Sequence, residues 1–292
     1  MRVTDNMRLS AAVANEARLS SRLYDATKKA ASGVAVDSPA DDPVAFAAIA
    51  TKDAAIARME GHLSAAERAR GDAELAEGML AQAANLYTRA KEIAVDMANG
   101  DKSGADRAAG AKEVTELRSA LLSLTNTRGS RGYLFAGTKT DAPPFDPAGA
   151  FTANDGVIGV EVADGVTITA NSSGAKAFTA AGGRDLLADL ATFATALSND
   201  DQAGVQGMLD LLDQGHRQLV DARGDAGMTL ERLGSATDVA SSAALTLRSA
   251  RSRQADADPV SAYTELAEAR NAYEQSLAVT KQILSLASSA NR

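Results

Sequence analysis

The chain has 292 residues, of which 45% are hydrophobic and only 4% are aromatic, and a formal net charge of −8. This length can form two or three modest cores, and an apolar composition poor in aromatic residues favours long packed helices. The acidic balance argues against a nucleic-acid-binding surface, which needs basic residues. Because the sequence contains no cysteine, disulfides, thiol nucleophiles and thiolate metal sites are excluded.

Residues 1–33 predict a helix with one apolar stripe. The stripe positions lie alternately three and four residues apart, as in a packed helical seam. They are Leu9, Ala12, Leu19, Leu23, Ala26 and Ala30, with the polar Glu16 in the same series. The segment holds six basic and three acidic residues, but these do not segregate, and no Trp or Phe anchors the stripe. A partner helix is therefore favoured over a membrane surface.

Neither a cleaved signal peptide nor a membrane span is expected. The N-terminus lacks the apolar stretch of a signal peptide, and no apolar run reaches the length of about 18 residues that a spanning helix needs. The sequence therefore predicts no membrane insertion. It also predicts that the protein is either cytoplasmic or exported without a cleaved signal peptide.

Aspartate followed by proline predicts two helix starts, at Asp42–Pro43 and at Asp258–Pro259. An aspartate side chain can cap the first turn, and the fixed φ of proline suits the first helical position. Asp41 and Asp42 could also be read as a metal or acid–base pair. Two adjacent acidic residues before a proline more simply cap the helix and favour its dipole.

The stretch after Pro43 predicts a helical rod. The apolar spacing is helical over 49–66 and again over 79–97, with a phase change near Gly71 and Gly78. The spacing therefore indicates two successive packing faces in this part of the chain.

The glycine-rich middle, Gly129–Gly183, is the one stretch that predicts β-structure. Two β-branched runs, 156–162 and 166–170, are separated by Asp164 and Gly165. This pattern predicts an antiparallel hairpin with a type I′ turn. A lone hairpin is only marginally stable, so we expect the helices to support it.

Residues 205–254 form the longest helical run, which predicts a rod of roughly 75 Å, interrupted at most locally at Gly224 or Gly227. Its apolar residues follow the same alternating spacing as the first segment. The predicted seam positions are Val205, Leu209, Leu212, Leu219, Ala226, Leu230, Leu233, Ala240, Ala244 and Leu247.

The last segment, from Pro259 onward, predicts a second terminal helix with an apolar stripe. Its members are Leu266, Ala269, Tyr273, Leu277, Thr280, Ile283, Leu284 and Ala287. A helix whose apolar face lacks a partner is marginal in water. We therefore expect the first and last segments to pair with each other and with neighbouring subunits, and to fold fully only then.

Candidate catalytic residues are few. His62 and His216 lack the spacing of a zinc helix, and we interpret both as structural. Arg223-Gly224-Asp225 matches a cell-adhesion tripeptide, and Asn171-Ser172-Ser173 matches a glycosylation sequon, but short motifs occur by chance. Phosphate loops and nucleophile elbows are missing from the sequence. We predict no catalytic, cofactor-binding or metal residues, and no enzyme activity.

Two motifs carry a resemblance to the flagellin superfamily. Ser38-Pro-Ala-Asp-Asp-Pro-Val-Ala45 resembles the hook-associated branch, since flagellins proper more often have Asp-Asp-Ala-Ala-Gly after the first helix. The second motif is Tyr133-Leu-Phe-Ala-Gly-Thr138, followed by Pro143-Pro-Phe145, with Ala136 in place of the more usual glycine. The residues that carry the resemblance are Asp41, Asp42, Pro43, Tyr133, Leu134, Phe135, Gly137 and Thr138.

Three further stretches are similar to the same family. They are the opening Met1–Thr4, the helix end Leu86–Gly100 and the closing Asn271–Ala278. The resemblance implies a mainly α fold with long antiparallel helical rods, paired N- and C-terminal coiled-coil helices and a small β-rich insert.

The predicted organisation has three parts. We expect a terminal coiled-coil assembly domain from residues 1–33 with 258–292, and a helical rod domain from residues 34–140 with 183–257. Residues 141–182 are expected to form the small β-rich insert.

The resemblance also implies a function, that of a structural subunit joining the hook to the flagellin filament of the bacterial flagellum. Such a subunit is extracellular and leaves the cell through the flagellar type III apparatus. The implied partners are the first hook-associated protein, flagellin, further copies of the chain in a ring and a flagellar export chaperone. The expected assembly interface comprises Leu9, Ala12, Leu19, Leu23, Ala26, Leu266, Tyr273, Leu277, Ile283 and Leu284.

Three alternatives remain open from the sequence. A flagellin-type filament subunit would use the same terminal helices. A cytoplasmic coiled-coil adaptor would explain the heptads but not the segment Leu134–Thr138. An enzyme would need an active site assembled from carboxylates without any supporting motif.

Overall fold

The computed structural model describes the backbone of residues 2–289 and the side chains of residues 7, 8 and 10–285. The described chain is 73% helical, which confirms the predicted mainly α class. Its helices are α1 (Arg2–Ser32), α2 (Pro43–Met97), α3 (Gly104–Thr125), α4 (Gly174–Phe178), α5 (Leu186–Ser198), α6 (Gln202–Ala255) and α7 (Pro259–Ser289). Its strands are β1 (Arg128–Gly129), β2 (Gly132–Tyr133), β3 (Gly159–Ala163) and β4 (Val166–Thr169).

The two longest helices are uninterrupted. Helix α2 has 55 residues and continues through Gly71 and Gly78, and α6 has 54 residues and continues through Gly224 and Gly227. At 1.5 Å per residue each spans about 80 Å. The predicted rod is confirmed, and the glycines do not break it.

The insert contains the predicted hairpin, with β3 and β4 antiparallel and Val160 opposite Ile168. The register shifts between Glu161 and Ala163, which marks a bulge. The predicted type I′ turn is wrong, because Gly165 has φ +76° but Asp164 does not share a positive φ. A type I′ turn needs a positive φ at both central residues.

The described chain divides into two compact units. One runs from Arg58 to Ala243, and the other combines the residues up to Ala57 with those from Ala244 onward. Both boundaries fall inside long helices. The three-part division made from the sequence stays a prediction.

The core of the Arg58–Ala243 unit is built from α2, α3, α5 and α6 together with the loops around β1 and β2. Its largest fully buried side chains include Tyr87, Phe135, Phe178 and Phe193. The Tyr87 hydroxyl donates to the carbonyl of Leu186 over 2.7 Å. Burial raises the Tyr87 pKa well above its usual value, so the hydroxyl stays a neutral donor.

A second, smaller cluster supports the hairpin, as predicted. Buried alanines of α2, among them Ala66 and Ala69, pack with Val162 of β3 and with Leu233 of α6. The small side chains of α2 let the two-stranded sheet lie close to the helix. The hairpin therefore gains the apolar contact that it lacks alone.

Candidate assembly interface

Helices α1 and α7 pack against each other over a narrow stripe. Among their described side chains, Ala26, Ala262, Ala269 and Thr280 are buried, and the rest are half-buried or exposed. A pair of helices has one shared seam, so a side chain on it stays open to water on its flanks. The pair therefore removes little apolar area from solvent compared with the four-helix core of the other unit.

The described members of the predicted stripes lie on this seam with one exception, Leu284. Ala12, Leu19, Leu23, Leu266, Tyr273, Leu277 and Ile283 are half-buried, and Ala26 is buried. Leu284 is exposed, because consecutive helical residues point about 100° apart and Ile283 takes the seam position. The side chains of Leu9 and Ala287 lie outside the described residues.

Polar groups cross the same seam. Lys29 Nζ lies 3.0 Å from Glu265 Oε2, and Asn15 Nδ2 donates to Ser276 Oγ over 3.5 Å. The buried Thr280 Oγ1 has no hydrogen-bond partner among the described atoms. Exposed ion pairs stabilise a protein by at most about 1 kcal/mol, and a buried orphan hydroxyl is unfavourable. The seam is therefore weakly held.

Large apolar side chains also point away from the seam. We name six of these the outer apolar set, and their exposed fractions range from 49% to 70%. Its members are Met7, Val13, Tyr24, Tyr263, Val279 and Leu284. Single exposed apolar residues are common on protein surfaces. A two-helix pair that exposes several of them, however, offers a surface on which further helices can pack.

The loops that join the terminal helices to α2 and α6 are tied together through their backbones. The Ala35 N–H donates to the Ala255 carbonyl over 2.7 Å, and the Ala257 N–H donates to the Gly33 carbonyl over 2.8 Å. Gly33 has φ +69° and follows the last residue of α1, a position that favours glycine. These bonds fix where α1 and α7 begin their shared path.

The two predicted Asp–Pro helix starts are confirmed. Asp42 Oδ1 accepts from the backbone N–H groups of Val44 and Ala45, both over 2.9 Å. Asp258 accepts from the Ser261 N–H over 3.1 Å. Both side chains satisfy N–H groups that a first helical turn leaves free.

The capping role predicted for Asp41 is wrong. Its Oδ2 accepts from the backbone N–H of Asp37 and from the N–H and hydroxyl of Ser38, which closes the loop before the helix. These hydrogen bonds, chiefly those from Ser38, lower the Asp41 pKa below its usual value. Hydrogen bonds from Ser261 lower the Asp258 pKa in the same way.

The second sequence motif forms a buried corner in the Arg58–Ala243 unit. Leu134, Phe135 and Ala136 are buried, and the Phe135 ring meets the Phe178 ring edge-on at 5.1 Å. Gly137 has φ +61°, and a Cβ there would lie 2.2 Å from the Asn154 carbonyl oxygen. The turn therefore needs glycine at this position but accepts alanine at 136.

Two further motif residues stand at the edges of this corner. The Thr138 N–H donates to Asn154 Oδ1 over 2.9 Å, and Asn154 Nδ2 returns a bond to the Thr138 hydroxyl over 2.9 Å. Tyr133 lies on β2, and the Arg128 guanidinium stacks 4.8 Å from its ring centroid. The motif is thus a folding element of the corner.

A buried carboxylate that the sequence reasoning missed anchors this corner to α2. Asp72 accepts from the Ser130 N–H over 2.6 Å, from the Ser130 hydroxyl over 2.9 Å and from Arg131 Nε over 2.9 Å. Arg131 also donates to the Ala170 carbonyl. The partners lie far from Asp72 in sequence, and an aspartate inside a helical pattern gave no signal of its burial.

The remaining candidate residues have structural surroundings. His62 contacts the hairpin, with Nδ1 3.3 Å from the Glu161 carbonyl oxygen and Nε2 3.2 Å from Asp164 Oδ1. His216 is half-buried on α6, and its ring makes no hydrogen bond to any of the described residues. Neither histidine belongs to a cluster of metal-ligating residues within the described chain.

The two short motifs are also held in regular structure. Arg223 pairs with Glu77 over 2.5 Å inside the continuous α6, which is unlike an exposed adhesion loop. The Asn171 side chain donates to the Gly156 carbonyl over 2.9 Å and accepts from the Ile158 N–H over 2.8 Å. Its amide is therefore used to close the hairpin base. Over residues 2–289, no helix is long and apolar enough to cross a membrane.

Comparison with known proteins gives matches in both sequence and fold. Residues 3–140 match the family model described as the bacterial flagellin N-terminal helical region. Flagellar hook-associated protein 3 of Salmonella typhimurium is 32% identical over 148 residues, which is 50% of this chain and 47% of that protein. Flagellar hook-associated protein 3 of Escherichia coli is 36% identical over 114 residues, or 39% of this chain and 36% of that protein. The matches thus span less than half the length of these curated relatives.

Solved structures match over more of the chain. A flagellar hook-associated protein from Vibrio parahaemolyticus has a TM-score of 0.68 at 21% identity, over 74% of this chain and 100% of that one. FlgL of Xanthomonas campestris has a TM-score of 0.61 at 20% identity, over 69% of this chain and 99% of that one. The flagellar junction protein FlgL of Legionella pneumophila has a TM-score of 0.58 at 16% identity, over 72% of this chain and 100% of that one. At these identities the likeness establishes the shared fold.

Proposed function

We propose that the chain belongs to the flagellin superfamily and is a structural subunit of the bacterial flagellum, because residues 3–140 match the flagellin N-terminal family model and the chain is similar to hook-associated protein 3 in sequence and fold. Its place is the junction between the hook and the flagellin filament. The observation that carries this proposal is the α1–α7 pair, which has a weak seam and an outer apolar set. A catalytic constellation is not needed for such a role.

The mechanism is folding coupled to assembly. A single α1–α7 pair buries four described side chains, so its packing energy is small, and fixing the backbone of each residue costs roughly 1–2 kcal/mol. Neighbouring terminal pairs would cover the outer apolar set and add the missing packing. The interface residues are those of the two stripes together with Met7, Val13, Tyr24, Tyr263 and Val279.

The proposed partners follow from this position at the junction. The first hook-associated protein contacts one side of a ring of subunits, and flagellin contacts the other. A flagellar export chaperone would cover the terminal helices before export through the type III apparatus. A subunit that is weakly folded at its ends suits such a route, because little structure has to be undone there.

Immunogold labelling of intact flagella tests the location. We expect gold at the hook–filament boundary alone, and loss of attached filament in a strain that lacks the chain. Labelling along the whole shaft would identify a filament subunit instead. Absence of the protein from sheared flagella and from the culture medium would contradict the flagellar role altogether.

A further inference from the structure

The turn between α2 and α3 contains Asn99-Gly100, the one Asn-Gly pair in the sequence. Both residues are exposed. The Asn99 side chain makes one long hydrogen bond, from Nδ2 to the Asp96 carbonyl over 3.3 Å. The Gly100 N–H has no hydrogen-bond acceptor among the described residues. The amide side chain and the following backbone nitrogen are therefore both accessible.

We propose that Asn99 is a site of spontaneous deamidation through a succinimide. The backbone nitrogen of Gly100 gives up its proton and attacks Asn99 Cγ. A bond forms between that nitrogen and Cγ, the bond from Cγ to Nδ2 breaks, and ammonia leaves with the added proton. Water then opens the ring at either carbonyl, which gives aspartate or isoaspartate at position 99.

Glycine at position 100 is what makes this ring closure accessible. It has no side chain to crowd the attacking nitrogen, and its backbone takes the φ and ψ values that ring closure needs at low cost. An added Cβ would meet a single atom within 4 Å, Gln202 Nε2 at 3.5 Å, and Gly100 does not have a positive φ. Gly100→Ala is therefore a control that crowds the reaction without disturbing the turn.

The surrounding bonds determine what the reaction would change. Arg107, which is buried, donates to the carbonyls of Met97 and Asn99, and Gln202 donates to the carbonyl of Ala98 over 3.0 Å. Isoaspartate adds a methylene to the main chain at position 99, which displaces these carbonyls from their donors. The turn would thus lose hydrogen bonds as the protein ages.

Asn171-Ser172 supplies the internal comparison. Serine is also a small following residue, but the Asn171 amide is held by two hydrogen bonds, of 2.9 and 2.8 Å, at the base of the hairpin. Asn171 should therefore stay intact in the folded chain and react only after unfolding. Asn99 should react in both states.

The test is incubation of the full chain in mildly alkaline buffer, with peptide mass spectrometry for the replacement of NH2 by OH and enzymatic methylation to detect isoaspartate. We expect Asn99 to convert well ahead of Asn171 in folded protein, and Gly100→Ala to slow it about tenfold, which corresponds to a modest rise in the barrier. Hydrogen exchange over residues 97–107 should increase as the product forms. Equal rates at the two asparagines in folded protein, or an unchanged rate in Gly100→Ala, would overturn the proposal.

Discussion

At the scale of single residues, the structure depends on a few polar side chains that join distant parts of the chain. Asp72 holds Ser130 and Arg131, and Gln218 donates to carbonyls of Ala177 and Arg184 while accepting from the Arg184 N–H over 2.8 Å. Each interaction joins a loop or the short helix α4 to a long helix. Removing such a group leaves its loop partners without the hydrogen bonds that hold them to the helix.

Replacing Asp72 with alanine should lower the free energy of unfolding by about 2–3 kcal/mol, because the Ser130 N–H and Arg131 lose a buried acceptor. Denaturant unfolding of the purified chain measures this change. Glu74→Ala is the matched control, since Glu74 is exposed and pairs with the exposed Arg70. The control should change stability by no more than about 0.5 kcal/mol. Equal effects of the two substitutions would contradict the anchoring role.

The cap at the start of α7 should weaken at acid pH. The Asp258 pKa is lowered in the folded chain by hydrogen bonds from Ser261, whereas an unfolded aspartate titrates near pH 3.9. A lowered folded pKa means that the stabilisation is present above the unfolded pKa and is lost as the pH falls through the folded pKa.

Asp258→Asn separates capping from titration, because asparagine caps a helix about as well and carries no charge. Protection from hydrogen exchange in the first turn of α7, taken relative to the intrinsic exchange rate at each pH, should fall below about pH 4 in the natural chain. The same turn should respond less to pH in the variant. Identical pH profiles would show that the cap does not depend on the Asp258 charge.

At the scale of helices and strands, the periodicity of apolar residues predicted those elements whose signals lie among residues close together in the sequence. The α6 seam from Val205 to Leu247 and the hairpin strands were found because apolar spacing and Asp-Gly are local signals. The pairing of Arg128 with Tyr133 across β1 and β2 was missed, since two-residue strands have no period. Leu284 was predicted on the seam but is exposed, because adjacent apolar residues leave the face ambiguous, and its part in the assembly interface stays a prediction.

Glycines inside the long helices give a test at this scale. Gly71 and Gly224 have open space where a Cβ would lie, and glycine is less favourable than alanine in a helix by about 1 kcal/mol. Gly71→Ala and Gly224→Ala should therefore each stabilise the chain by roughly 0.5–1 kcal/mol. Thermal unfolding measures the gain.

Gly137→Ala is the opposing control, because its φ of +61° and the Asn154 carbonyl oxygen exclude a Cβ. We expect this variant to be destabilised. If Gly71→Ala and Gly224→Ala also lower the unfolding temperature, these glycines are needed for bending or contact.

At the scale of the whole molecule, the two units differ in packing. The Arg58–Ala243 unit has a well-packed core, whereas the terminal helices share only a narrow seam. The sequence could indicate that the ends carry apolar stripes, because a stripe is a local pattern. It could not show how little of each stripe one partner helix would cover. The buried fraction of a stripe depends on how many helices pack around it, and the spacing of apolar residues in the sequence does not encode that number.

The outer apolar set should matter for assembly and not for the fold of the free chain. Tyr24→Ser combined with Val279→Ser removes two exposed apolar side chains, and each should weaken subunit association by about 1–2 kcal/mol if it is buried between subunits. Sedimentation of assembled material and motility of a complemented strain measure the effect. Val239→Ser on α6, also highly exposed, is the matched control and should behave like the natural chain. Normal assembly of the double variant would place the contacts elsewhere.

Hydrogen exchange in free and assembled protein distinguishes terminal helices that reach full stability only between subunits from helices that are already stable in the free chain. In dilute monomer we predict rapid exchange over residues 10–30 and 262–285 beside strong protection in α2 and α6 of the Arg58–Ala243 unit. The same terminal segments should become protected in assembled material. Full protection of both segments in dilute monomer would contradict the account.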